Sequence, residues 1–163
     1  MHIIIAGAGV VGTSLAEQLS RENHDIVLVE ADRQRAAAIS ESLDILCIVG
    51  SASSPGILKR AGIQTADILI AVTESDEVNL LVCAIGKSMG VKQRIARVRN
   101  SEFTDPSQEF KVEDFGAMHT INPDPIVVDS MVLSVELPGV EEVTSLAEGK
   151  LQILRFTVRE DSP

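Results

Sequence analysis

Short apolar runs alternate with longer amphipathic ones along most of this chain. The apolar runs read as strands: His2–Ala6, Asp25–Glu30, Ile45–Val49, Asp67–Val72, Arg94–Val98 and Met118–Ile121. Most are near-continuous Ile, Leu, Val and Ala with little polar alternation, the pattern of strands covered on both faces. Helical sequence fills the intervals at Val10–Arg21, Arg33–Ser42, Pro55–Ala61, Asp76–Met89, about Pro106–Phe115, and Pro123–Leu137. Six strands with intervening helices predict an α/β fold, a doubly wound six-stranded parallel sheet.

The punctuation agrees with these boundaries. Ser54–Pro55 and Asn122–Pro123 each place a capping residue before a proline at the first helical position. Thr73–Glu74–Ser75–Asp76 offers capping side chains ahead of the fourth helix. Gly62 and Gly90 follow helices, where a left-handed C-cap is wanted.

The tail breaks the rhythm. "LPGVEEV" interrupts the alternation, and "EGKLQILRFTVREDSP" reads as a turn and one strand, with Leu154, Phe156 and Val158 on one face. A lone strand cannot satisfy its edges. The expectation is therefore a main domain over 1–122, an interface helix and linker over 123–150, and a truncated further domain beginning at 151–163.

Composition narrows the function. The chain has 163 residues, room for one domain and a short appendage. With four Phe and no Trp or Tyr, its core must be aliphatic. Twenty-four acidic against 14 basic residues give a net charge of −10, the wrong sign for a nucleic-acid binder. Cys47 and Cys83 lie far apart in apolar stretches and read as buried, reduced thiols of a cytoplasmic protein. Strand sequence starts at His2, and no apolar run approaches the ~20 residues of a membrane span. The expectation is a soluble, cytosolic protein that is not inserted in the membrane.

The chemistry begins at Gly7–Ala8–Gly9–Val10–Val11–Gly12, a G-x-G-x-x-G between the first strand and the first helix. The first glycine permits the tight turn, the second admits a pyrophosphate, and the third lets the helix lie close to the strand. Amides at the helix N-terminus, with its positive dipole end, supply the anion site. Glu30 ends the second strand 18 residues after Gly12, where a ribose-binding carboxylate is expected, followed by Ala31, Asp32 and Arg33. Such a carboxylate repels a 2′-phosphate and favours NAD over NADP; Arg33 and Arg35 are alternative phosphate partners. Together these features specify a Rossmann-type fold. Ligands of such sheets sit beyond the carboxyl ends of the strands, so Gly50, Ser51 and Ala52 face the same cleft. Thr73, Glu74, Arg97 and Arg99 do so at the fourth and fifth strands.

Catalytic machinery does not assemble in the sequence. His2 and His24 lie at the end of the strands away from the cleft, and His119 lies inside the sixth strand. Asp76, Glu77 and Asn79 read either as charges complementing a helix N-terminus or as a carboxylate or cation site. The expected activity is binding, with no enzyme chemistry. In the last helix, Ile126, Val127, Val128, Met131, Val132, Leu133, Val135 and Leu137 surround the axis more fully than one core-facing stripe requires. That pattern predicts a second buried side, against a partner subunit.

"IIIAGAGVVG", "IVLVEAD", "GSASSPGILKRAGIQTADILIAVTESDEVNLLVCAIGK" and "RIARVRN" resemble the N-terminal domain of the TrkA family, in the RCK (KTN) group. The likeness extends through "INPDPIVVDSMVLSVELPGV" and "AEGKL". It implies a regulatory subunit of a Trk potassium uptake system that binds NAD(H), or ATP, ADP or AMP in related members. It further implies a homodimer, with higher assembly in the full-length protein. Its place would be the cytoplasmic face of the membrane, on a TrkH- or TrkG-like potassium channel or transporter subunit. Gly7, Gly9 and Gly12 match the family's phosphate turn, Glu30 its ribose carboxylate, and Thr73 and Arg97 its cleft positions. Ser51 departs from the Asp common in the family. Val10 and Val11 stand where ATP-binding relatives often carry Arg, which favours NAD(H). The alternatives are an AMP- or ATP-sensing domain of a Kef-like cation transporter and a small NAD-dependent oxidoreductase.

Overall fold

The computed structural model of the chain describes residues 1–105, 107, 109, 111–124, 127–128, 131–132, 140–146 and 151–156. They fall into two units, Met1–Ile121 and Asn122–Pro163. The first contains β1 (His2–Ala6), α1 (Val10–Arg21), β2 (Asp25–Glu30), α2 (Arg33–Ser42), β3 (Leu46–Val49) and α3 (Pro55–Arg60). It continues with β4 (Ile68–Ala71), α4 (Asp76–Ser88), β5 (Gln93–Arg97) and β6 (His119–Ile121). All six strands are parallel, in the order β3-β2-β1-β4-β5-β6. The chain leaves β1 toward one edge and then resumes at β4 on its other side. That reversal opens a crevice beyond the carboxyl ends of β1 and β4.

The lack of polar alternation has a direct structural cause. Ile4, Ala6, Val27, Val29 and Leu69 pack on one face against Leu58 of α3 and Leu80, Val82 and Cys83 of α4. Ile3, Ile5, Ile26, Leu28 and Ile70 pack on the other against Ala16 of α1 and Ile39 of α2. With side chains alternating between faces and both faces covered, the central positions of β1, β2 and β4 are apolar on both sides.

Local signals act as expected at the element ends. Ser75 accepts a hydrogen bond from the amide of Val78 as the N-cap of α4. Pro55 sits in the first turn of α3 behind Ser54. Gly62 and Gly90 adopt φ of +80° and +87° after α3 and α4.

Three expectations change. In the helix expected at about Pro106–Phe115, none of the described residues is helical, and a 3-10 turn occupies Ser101–Phe103. Asp105 accepts from the amide of Ser107, and Asp114 from the amide of Lys111, so local side-chain bonds compete with the helical ladder. The tail strand is not alone. Val140–Leu146 forms β7 and pairs antiparallel with β8 (Leu151–Phe156), with Val143 opposite Leu154. Cys83 is buried, but Cys47 on β3 is only partly so. Burial pushes the Cys83 thiol up to about 11, against a smaller opposing pull from Arg94. In the helix expected at Pro123–Leu137, residues 124, 127, 128, 131 and 132 are helical; the rest lies outside the described residues.

One buried side chain ties the sheet to α4. Asn79 is fully buried, and its Oδ1 accepts from the amide (2.8 Å) and hydroxyl (2.7 Å) of Thr73. Its Nδ2 donates to the carbonyls of Thr73 (3.1 Å) and Arg97 (2.9 Å). The Asp76 carboxylate accepts the amides of Arg99 and Asn100 from the β5 exit. Glu77 stays outside, where a hydrogen bond from Ser75 and then its own amide hold its carboxyl below the usual value. Among the described residues, no cluster of three or more His, Cys, Asp or Glu is placed to hold a metal ion.

Asn79→Ala strands the Thr73 amide and the Arg97 carbonyl in the interior. The expected loss is about 2–4 kcal/mol, read by urea denaturation. At pH 8, iodoacetamide is expected to modify Cys47 at least about tenfold faster than Cys83, followed by mass spectrometry of the native protein.

Candidate functional site

A cleft of about 640 Å³ lies across the carboxyl ends of β1, β2, β3, β4 and β5. Its floor is the glycine turn. Gly7 takes φ +103°, and a Cβ there would stand 2.9 Å from the backbone of Thr73. A Cβ on Gly12 would come within 1.9 Å of the Gly7 carbonyl oxygen. Both glycines are demanded by the protein's own packing.

Gly9 is different. Its backbone is extended, at φ −69° and ψ −173°, and a Cβ would meet nothing within 4 Å. It caps α1 without a side-chain hydrogen bond, and the first turn of α1 carries no acidic residue. The first amides of a helix have no partner within it, so unneutralised donors face this open space.

Glu30 closes the next side of the cleft. It is 7% exposed; Oε2 accepts the amide of Ala8 and Oε1 that of Asp32, both at 2.8 Å. The carboxylate thus holds the glycine turn to the β2 exit. Arg35 places Nη1 3.7 Å from Oε2. At the β3 exit, Gly50 donates its amide to the Glu30 carbonyl, and the hydroxyls of Ser51 and Ser53 bond at 2.7 Å. Across the cleft, Arg97 donates through Nη2 to the Thr73 carbonyl (2.7 Å) and Arg99 to that of Glu74 (2.9 Å). Arg97 Nε is buried and has no hydrogen-bond partner among the described residues. The charged lining is Glu30, Glu74, Arg35, Arg97 and Arg99, three cations against two anions in a chain of net charge −10. An open main-chain cradle with this balance fits a phosphate-bearing ligand.

Of the residues singled out in the sequence, Gly7, Ala8, Gly9, Val10 and Val11 line the cleft at the turn. Glu30, Ala31, Gly50, Ser51, Ala52, Thr73, Glu74 and Arg97 line it at the strand exits. Gly12, Asp32 and Arg33 do not line it. Gly12 is buried in the contact between α1 and the turn. Asp32 caps α2, and the amides of Arg35 and then Gln34 hold its carboxyl below the usual value. Arg33 is exposed on the first turn of α2. Arg35, two residues on and rotated by about 200° around the helix, reaches the cleft instead. Ser75 and Val78 also join the lining. They sit at the start of α4, a position the rule of strand exits alone does not single out.

The family model of the TrkA-N domain matches residues 3–123. The Trk system potassium uptake protein TrkA of Haemophilus influenzae is 38% identical over 156 residues, covering 94% of this chain and 34% of that protein. The chain spans about one third of the length of such curated relatives. The solved GsuK channel bound to NAD superposes with a TM-score of 0.69 at 20% identity, over 90% of this chain and 25% of that one. The Shewanella denitrificans Kef CTD in its AMP-bound form superposes with a TM-score of 0.67 at 15% identity, over 85% and 82%. At those identities the two structures establish the shared fold alone. With the family model matching from β1 through β6, the chain belongs to the TrkA-N domain family.

Proposed function

We propose that this chain is a nucleotide-binding regulatory domain of a potassium uptake system, with NAD(H) as its ligand. The observation that carries the reading is Gly9, a glycine that the protein's own packing does not require, beside the open amides of α1. The diphosphate rests there, with Glu30 at the adenosine ribose and Thr73, Arg97 and Arg99 toward the second half of the ligand. The NAD-bound GsuK channel and the AMP-bound Kef CTD share the fold and support a nucleotide as the ligand. Val10 and Val11, uncharged at the turn, favour the dinucleotide over ATP.

The domain senses its ligand and does not transform it. His2 pairs with Asp25 at 2.8 Å at the opposite end of the strands, and His119 lies on β6, so neither serves as a proton-transfer group in the cleft. Two copies pair through the helix after Pro123, where Val127, Val128, Met131 and Val132 are exposed. Nucleotide binding changes the angle between the paired domains, and a TrkH- or TrkG-like membrane subunit reads the movement from the cytoplasmic side. The ligand drives this only if it binds the two arrangements with different affinity.

Calorimetric titration with NADH, NAD+, ATP, ADP and AMP tests the ligand. A dinucleotide is expected to bind tightest; strong ATP binding without dinucleotide binding overturns the preference. A glycine pair separates ligand from fold. Gly9→Ala is expected to change stability by no more than about 1 kcal/mol, yet to weaken nucleotide binding at least about tenfold. Gly12→Ala is expected to cost more than about 3 kcal/mol, because its Cβ collides with backbone. Denaturation and titration of the same preparations check both.

A further inference from the structure

The adenosine end of the cleft is built differently from the carboxylate-lined ribose site that the sequence leads one to expect. Glu30 is almost fully buried, and each of its oxygens already accepts a main-chain amide. Asp32, the next carboxylate, lies outside the lining, with its oxygen turned onto the amides of Gln34 and Arg35. Arg35 stands in the cleft instead. Its side chain is 48% exposed, and Nη1 lies 3.7 Å from Glu30 Oε2, so the two charges offset one another. The neighbouring exit adds hydroxyls: β3 runs beside β2, with Val49 opposite Glu30, and Ser51 follows two residues later.

A 2′-phosphate on the adenosine ribose projects from the sugar toward the exit of β2. An unscreened carboxylate there excludes it by like-charge repulsion, whereas an arginine accommodates it. A guanidinium is a planar fork of five N–H donors matched to phosphate, and its 3.7 Å approach to Glu30 is longer than a hydrogen bond. We propose that the cleft accepts the 2′-phosphorylated dinucleotide, NADPH, comparably to NADH, and that Arg35 is the residue that holds the extra phosphate. The proposal rests on the dinucleotide reading above. It departs from the sequence argument, in which Glu30 favours NAD over NADP, and takes up one of the two arginines, Arg33 and Arg35, that the sequence offered as phosphate partners.

The test is calorimetric titration of the full chain with NADH and NADPH, repeated on Arg35→Gln and Arg33→Gln. Both changes fall on the first turn of α2, outside the core, and Arg33 does not line the cleft. For the unaltered chain, NADPH is expected to bind within about tenfold of NADH. Loss of a charge-assisted bond in Arg35→Gln is expected to weaken NADPH relative to NADH by at least about a further tenfold. Arg33→Gln is expected to leave that ratio within about threefold. NADPH weaker than NADH by more than about tenfold in the unaltered chain overturns the proposal while leaving the dinucleotide reading intact. So does an Arg35→Gln change that weakens both ligands equally, or a ratio governed by Arg33. Binding of neither dinucleotide overturns both.

Discussion

The close approach of α1 to the turn that precedes it governs everything built around it. A single added carbon on Gly12 would lie 1.9 Å from the Gly7 oxygen, so the helix starts where it does because that carbon is missing. Gly7 in turn lies against the backbone of Thr73, which brings the β1 and β4 exits together. The N-terminus of α1 is thereby aimed across the crevice between them. With α1 displaced, its open amides face solvent and the crevice loses the cradle that fits a phosphate.

Polar side chains then hold this geometry from inside. Glu30 binds the amides of Ala8 and Asp32, linking the turn to the β2 exit. Asn79 and Asp76 link α4 to the exits of β4 and β5. Each is buried, and each has backbone partners that would otherwise be stranded in a low-dielectric interior. The same residues that look like ligand groups in the sequence thus also serve as fasteners. Glu30 illustrates the tension: with both oxygens bound, only its remaining lone pairs are left for the ribose proposed above.

That dual role explains why some functional readings needed revision. Asp76, Glu77 and Asn79 read from the sequence either as charges at a helix N-terminus or as a carboxylate or cation site. Asp76 and Glu77 do stand in the first turn of α4, and Asp76 and Asn79 also bind main-chain groups at the exits of β4 and β5. Arg33 and Arg35 were indistinguishable in the sequence as phosphate partners. Two residues along a helix reverse the direction of a side chain, and only the packing of α2 against the sheet decides which arginine meets the cleft. The stretch around Pro106–Phe115 misled for a related reason. Its composition permits a helix, but Asp105 and Asp114 bond to nearby amides and stabilise turns instead.

Some features are written locally and survive any context. The run of aliphatic residues in β1, β2 and β4, the proline at the start of α3, and the glycines after α3 and α4 reflect backbone constraints and two-sided burial. The strand–turn–helix with its three glycines belongs with them, and with it the Rossmann architecture. What depended on distant partners was decided only in three dimensions. β7 has no distinctive pattern of its own and exists because β8 supplies the other half of its hydrogen bonds. Gly9 and Gly12 are the same letter, yet one faces open space and the other a carbonyl oxygen. A sequence states which groups are present; which of them oppose one another across a cleft follows from how the chain returns upon itself.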